Sequence, residues 1–205
     1  MARFFSGDGK AALTRSVAAF EQATTAELVI AVRPRSDGYL HVNILVGCLA
    51  ALAITSFLLY GEPEFDLHWF IVCPAVVGLV LGWAAGIPPV QRLLTRRSVR
   101  EERVTRAARA TFVERNVADT RSRAGVLLYI SLAERLAVFV ADLGVRERVP
   151  QLAWDASTDA VRSAVTRGAP AADLVAPLLA LAEVCGRHLP RATDDVNELP
   201  DTVMS

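Results

Sequence analysis

The side chains best suited to chemistry are mostly acidic: Asp119, Glu134 and Asp142 in the second half of the chain, and Asp194, Asp195 and Glu198, with the amide of Asn197 among them, near its end. Asp119 precedes a strand-like run, Glu134 lies in a short link between two such runs, and Asp142 ends the second. Ca²⁺ or Mg²⁺ wants several oxygen ligands converging from loops, and strand ends place carboxylates in such positions, so these residues are the candidate metal ligands. The spacing is not that of an EF-hand. Asp142-Leu143-Gly144 reads equally as a turn in which the aspartate bonds nearby backbone and glycine supplies the permissive geometry. Residues 193–200 also have a structural reading, in which Asp194, Asp195 and Asn197 fix a turn that docks Val196 and Leu199.

A nucleophile is harder to find. Cys185 and Arg191 satisfy a Cys-x5-Arg spacing, which can cradle an anion when a run of backbone N–H groups faces it. Here Pro190 removes one of those groups, Val184 stands where a histidine would precede the cysteine, and Ala192 follows where a hydroxyl is needed. His41 and His68 border apolar stretches, and His188 suits a cation near a helix end. Gly-rich phosphate loops, paired zinc motifs and a serine elbow are absent from the sequence. No coherent set of nucleophile, base and oxyanion donors emerges.

The elements that would position these residues are short. Residues 8–22 space Leu13, Val17 and Phe20 along one helical face, with Ser6 or Asp8 available as a cap. Residues 28–32 form a β-prone run ended by Pro34. Further on, 97–115 places Val104, Ala108 and Phe112 on one helical face. Residues 125–131 and 136–142 predict an antiparallel hairpin across the link 132–135. Two more helices are expected over 154–166 and 171–187, with Pro177 bending the last or sitting in its first turn. The run 28–32 has no strand partner on its own side of the apolar region, so one three-stranded sheet built from both sides is the economical solution.

That apolar region comprises residues 42–60 and 69–90, joined by an acidic link and free of Lys and Arg. A bilayer core of about 30 Å needs roughly 20 apolar helical residues, so the pattern predicts a transmembrane hairpin. Arg33 and Arg35 precede it, and Arg92, Arg96, Arg97, Arg100 and Arg103 follow it, whereas the link carries Glu62, Glu64 and Asp66. Both termini are therefore expected in the cytoplasm, with the hairpin in the inner (plasma) membrane and the lipid bilayer as first partner. Residues 92–109 fit a juxtamembrane segment facing anionic headgroups. The 22 basic and 22 acidic residues cancel, and no basic face with interleaved aromatics suggests nucleic-acid binding. Three cysteines, two inside the apolar runs, argue against structural disulfides. The N-terminus lacks the apolar run of a cleavable signal peptide, leaving the first span to direct targeting.

Phe4-Phe5-Ser6, Thr24-Thr25-Ala26-Glu27 before a strand, Arg35 to Tyr39 before the apolar hairpin, Ser131-Leu132-Ala133-Glu134-Arg135, Ala141 to Val145, Trp154 and the tail Asp194-Asp195-Val196-Asn197-Glu198-Leu199-Pro200 occur in one order. This combination resembles the bacterial membrane proteins with a TPM domain, over nearly the whole chain. The chain departs from that pattern at Ala26 and Ala124, where glycine and threonine are usual, and at Leu189, which replaces an aromatic. The resemblance implies an α/β fold with a small sheet flanked by helices, shared with a thylakoid-lumen protein, a photosystem repair protein and a receptor-accessory protein. The expected organisation is a first domain segment at 1–39, a transmembrane hairpin at 40–91, and a second segment at 92–205 with an acidic tail. The resemblance leaves two functions open: a non-catalytic accessory or assembly factor for a membrane-protein partner, or a divalent-metal-dependent phosphatase.

Overall fold

The computed structural model describes residues 4, 8–36, 38–63 and 65–191. The expectations placed on Asp194, Asp195, Asn197, Glu198 and the 193–200 turn lie outside them. The described residues divide into two compact units, one built from both chain ends (to Ser36 and from Glu101) and one covering Asp37–Arg100.

The chain-end unit is a mixed α/β domain around a three-stranded sheet in the order β1-β2-β3. β1 (Glu27–Arg33) runs parallel to β2 (Gly125–Ser131), from Glu27 opposite Gly125 to Arg33 opposite Ser131. β3 (Leu136–Ala141) returns antiparallel to β2, with Val126 opposite Ala141. The sheet thus unites the two segments, as the unpartnered β1 run requires. A parallel pair cannot close through a tight turn, and the long stretch between β1 and β2 supplies the crossover.

Strand side chains alternate between faces, and both faces are covered, which is why the strands read as unbroken apolar runs. Leu28, Ile30, Val126, Leu128 and Ile130 pack with α1 (Gly9–Ala23), α7 (Gln151–Arg167) and α8 (Val175–His188). Val29, Ala31, Leu127 and Tyr129 pack on the other side with Val104, Ala108 and Phe112 of α5 (Arg97–Glu114). The apolar faces expected of α1 and α5 are those that are buried. Asp8 occupies the N-cap of α1, yet its side chain makes no capping bond. A 3₁₀ turn, Ala171–Leu174, precedes α8, and Pro177 falls in the first turn of α8, where its missing N–H has no intrahelical acceptor to lose. Ala26 and Ala124 are fully buried without a positive φ, so neither position needs glycine. Leu189 is buried too, and its carbonyl accepts from the Thr24 hydroxyl (2.6 Å) and the Thr25 N–H (3.1 Å).

The second unit holds α2 (Leu40–Tyr60), α3 (Trp69–Ala85) and α4 (Pro88–Leu94). The expectation of one continuous helix over 69–90 is corrected here. α3 ends at Ala85, and α4 leaves it at 91°. Pro88 forces the preceding residue out of the helical region, and Ile87 is accordingly extended at φ −68° and ψ 129°. Among the described residues, α2 alone is a single helix long and apolar enough to cross a membrane. α3 and α4 qualify only together, as a bent pair. α2 and α3 pack backbone to backbone: a Cβ on Gly47 would lie 2.7 Å from the Gly78 carbonyl oxygen, and one on Gly82 would lie 3.0 Å from that of Asn43.

Candidate functional site

Asp142, at the end of β3, caps α6 (Leu143–Arg148), a helix of six residues, and bonds nearby backbone as the turn alternative for Asp142-Leu143-Gly144 expects. Its Oδ1 accepts from the Leu143 N–H (2.7 Å) and from Arg123 Nη2 (3.3 Å), and its Oδ2 accepts from Arg123 Nε (2.9 Å). Gly144 serves close approach rather than a permissive φ. A Cβ there would run into the Ser122 carbonyl oxygen and lie 2.7 Å from that of Arg123. Burial pushes the Asp142 carboxyl up. The Arg123 hydrogen bond, the Leu143 N–H and the Arg123 charge together outweigh that effect, and the carboxyl titrates below its ordinary value.

A carboxylate whose folded pKa is depressed contributes stability that is complete above the unfolded value, about 3.9, and is lost as pH falls through the folded value. Asp142→Asn keeps a capping oxygen but loses the charge pair. The variant is expected to melt a few degrees below the parent at pH 7, a modest effect because the Arg123 side chain is 61% exposed and screened by water. The gap should close below about pH 4. Melting curves taken from pH 7 down to pH 2 check this, and a gap that widens in acid would contradict it.

Glu134 does different work at the opposite end of β3. Its carboxylate accepts from the Ser131 hydroxyl in a close contact and from the Ser36 N–H (3.4 Å). Beside it, the Leu132 and Ala133 N–H groups donate to the carbonyls of Arg33 (3.0 Å) and Pro34 (2.9 Å). The Ser-Leu-Ala-Glu-Arg link is thus a splint that extends the β1–β2 pairing past the strand ends. Asp119 is exposed on a turn, its N–H donating to the Asn116 carbonyl (2.8 Å). Glu134 and Asp142 are separated by the length of a six-residue strand, about 20 Å. Among the described residues no three His, Cys, Asp or Glu side chains form a metal-holding group. A cation at Asp142 would have to displace Arg123, so that donor set does not fit one.

Cys185 lies in α8 and is fully buried, and burial pushes its thiol up to about 12. The helix continues through His188, so the Cys-x5-Arg stretch is not an anion-cradling loop. Cys185 is therefore not a thiolate poised for attack at neutral pH.

Two features of the structure go beyond the sequence expectations. One is the glycine seam between α2 and α3, which the Gly78-x3-Gly82-x3-Gly86 spacing signals, since small residues every fourth position let helix backbones meet. The other is a pair of arginines with left-handed backbone, Arg123 (φ 51°) and Arg135 (φ 53°). That conformation costs a non-glycine residue about 1–2 kcal/mol, and no local pattern marks it.

Comparison with known proteins adds the fold. No family model and no curated protein matches the chain. The BA42 protein of the psychrophilic bacterium Bizionia argentinensis, solved by NMR, superposes with a TM-score of 0.60 over 98% of this chain and 94% of that one, at 16% sequence identity. At that identity, the likeness is one of fold alone.

Proposed function

We propose that this chain is a membrane-anchored protein of the TPM-domain type, which holds its α/β domain on the cytoplasmic side of the plasma membrane as a non-catalytic accessory to a membrane complex. The observation that carries the reading is the apolar surface of α2 and α3. Leu45, Leu52 and Leu59 of α2 and Ile71, Leu79 and Trp83 of α3 are all more than half exposed. Only 11% of the most apolar window of α2 is buried. Apolar side chains on every face suit lipid, whereas a soluble helix concentrates them on one stripe. The helix of 21 residues is about 32 Å long, enough for the hydrocarbon core, and that of 17 is at the lower limit. Arg92, Arg96 and Arg97 beyond α3, with an acidic link between the helices, favour cytoplasmic termini.

The non-catalytic part of the reading is supported by the tasks already held by its best chemical groups. Asp142 is bound by Arg123, Glu134 braces the link, and Cys185 is a buried thiol. Purification of the full chain from native membranes in mild detergent is expected to return the same membrane-protein partner in stoichiometric amount. Recovery of the chain alone, turning over a phosphomonoester in a Mg²⁺-dependent manner that Asp142→Asn abolishes, would replace this reading with the phosphatase one.

A further inference from the structure

A cavity of about 250 Å³ opens in the chain-end domain, lined by Phe4, Leu132, Arg135, Val165, Arg167 and Gly168 among others. It brings together the link between β2 and β3, which carries Arg135, and the end of α7, whose last residue is Arg167. Neither guanidinium has a hydrogen bond or ion pair among the described residues. Gly168 has φ +77°, and a Cβ built on it would stand 3.3 Å from Arg135 Cζ, so the guanidinium lies directly against this glycine.

A cation at the C-terminus of a helix is favoured by the helix dipole, and Arg167 alone meets that need. Arg135 is the residue that the dipole leaves unexplained. The last position of this hairpin link is left-handed, a conformation that glycine or asparagine adopts more easily than arginine. The sequence nevertheless places a guanidinium there. Arg123, in the same backbone state, shows what such an arginine does when the chain supplies an oxyanion: it clasps both oxygens of Asp142. Arg135 has no such carboxylate among the described residues, and its cavity contains a second unpaired cation.

From this geometry we propose that the cavity binds a phosphate monoester, with Arg135 and Arg167 holding the phosphoryl oxygens and Phe4, Leu132 and Val165 contacting the carbons next to them. Two positive charges match the dianion that such a group carries near neutral pH. The volume falls below the 300–1,000 Å³ usual for drug-sized ligands and suits a small headgroup. The described lining residues include no nucleophile or general base, so what they offer the ester is binding. The proposal does not depend on where the apolar helices reside.

The test is calorimetric titration of the full chain in neutral maltoside micelles with inorganic phosphate, against KCl at matched ionic strength. Saturable binding to phosphate and not to KCl is expected. Arg135→Asn, which tolerates a left-handed backbone, and Arg167→Gln should each weaken it at least tenfold, whereas Arg162→Gln, whose parent residue pairs with Asp159, should leave it unchanged. Glycerol 3-phosphate and dihexanoyl phosphatidic acid separate the two sources of this group. Equal affinity would identify a soluble ester, and tenfold tighter binding of the lipid would identify a membrane headgroup. Absence of phosphate binding, equal binding of acetate, or parental affinity in Arg167→Gln would overturn the proposal. The Arg167→Gln result decides it even if Arg135→Asn fails to fold.

Discussion

Gly125→Ala is expected to abolish cooperative unfolding of the chain-end domain near its normal temperature, with a loss of at least about 3 kcal/mol. Gly125 opens β2, opposite Glu27 of β1, and its carbonyl accepts from the Asp142 N–H (2.9 Å). All three strand regions therefore meet at this residue. A Cβ there would overlap the Val117 carbonyl oxygen and lie 3.1 Å from Val117 Cγ1. Val117 is itself fully buried. The obstruction is backbone, which cannot swing aside as a side-chain tip does, so either the 112–117 segment or the strand must move. Gly38→Ala is the matched control: nothing lies within 4 Å of its would-be Cβ, and it should stay within about 0.5 kcal/mol of the parent. Denaturant melts of the two variants in the same detergent check both values. A Gly125→Ala protein melting within 1 kcal/mol of the parent, a margin set by ordinary surface substitutions, would mean that β2 does not start against Val117.

Leu49→Lys is expected to cut membrane integration of the full chain roughly 100-fold, because an ammonium near the middle of a spanning helix costs about 2.5–3.5 kcal/mol. Leu49 lies near the centre of α2 and is 57% exposed. In water, the same substitution on an exposed leucine would be neutral or would improve solubility, so the sign of the effect identifies the solvent around α2. Leu152→Lys supplies the comparison. Leu152 is 84% exposed on α7, in the α/β domain, and its substitution should leave integration unchanged. Glycosylation-site or protease-protection mapping after synthesis into membranes measures the integrated fraction of each. Equal integration of Leu49→Lys and parent would remove α2 from the bilayer.

Much of the architecture was legible because it depends on local periodicity. Leu13, Val17 and Phe20 mark the buried face of α1, and Val104, Ala108 and Phe112 that of α5, whichever partner covers them. The lone run at 28–32 implied its distant strand through its need for backbone partners. Its parallel register with β2 was not legible, since no turn joins them to fix it. The break after Ala85 was marked by Pro88 and Pro89, but the apolar residues on both sides of them masked it. The site was legible in its residue types and not in their pairing. Asp142 stood out as an acidic strand end, yet its task depends on Arg123, which comes from the other side of β2. The Ser131–Glu134–Ser36 contacts span 98 residues at their widest, beyond any spacing rule. Arg135 and Arg167 share a cavity only because the β2–β3 link and the end of α7 converge in three dimensions.

Alkaline carbonate extraction of cell membranes carrying the untagged full chain tests the central claim most directly, since it strips proteins held by charge and leaves those embedded in lipid. The account predicts that the chain stays in the pellet and enters the supernatant only with detergent. A chain released quantitatively by carbonate alone would contradict it, and the apolar faces of α2 and α3 would then need a protein partner to cover them.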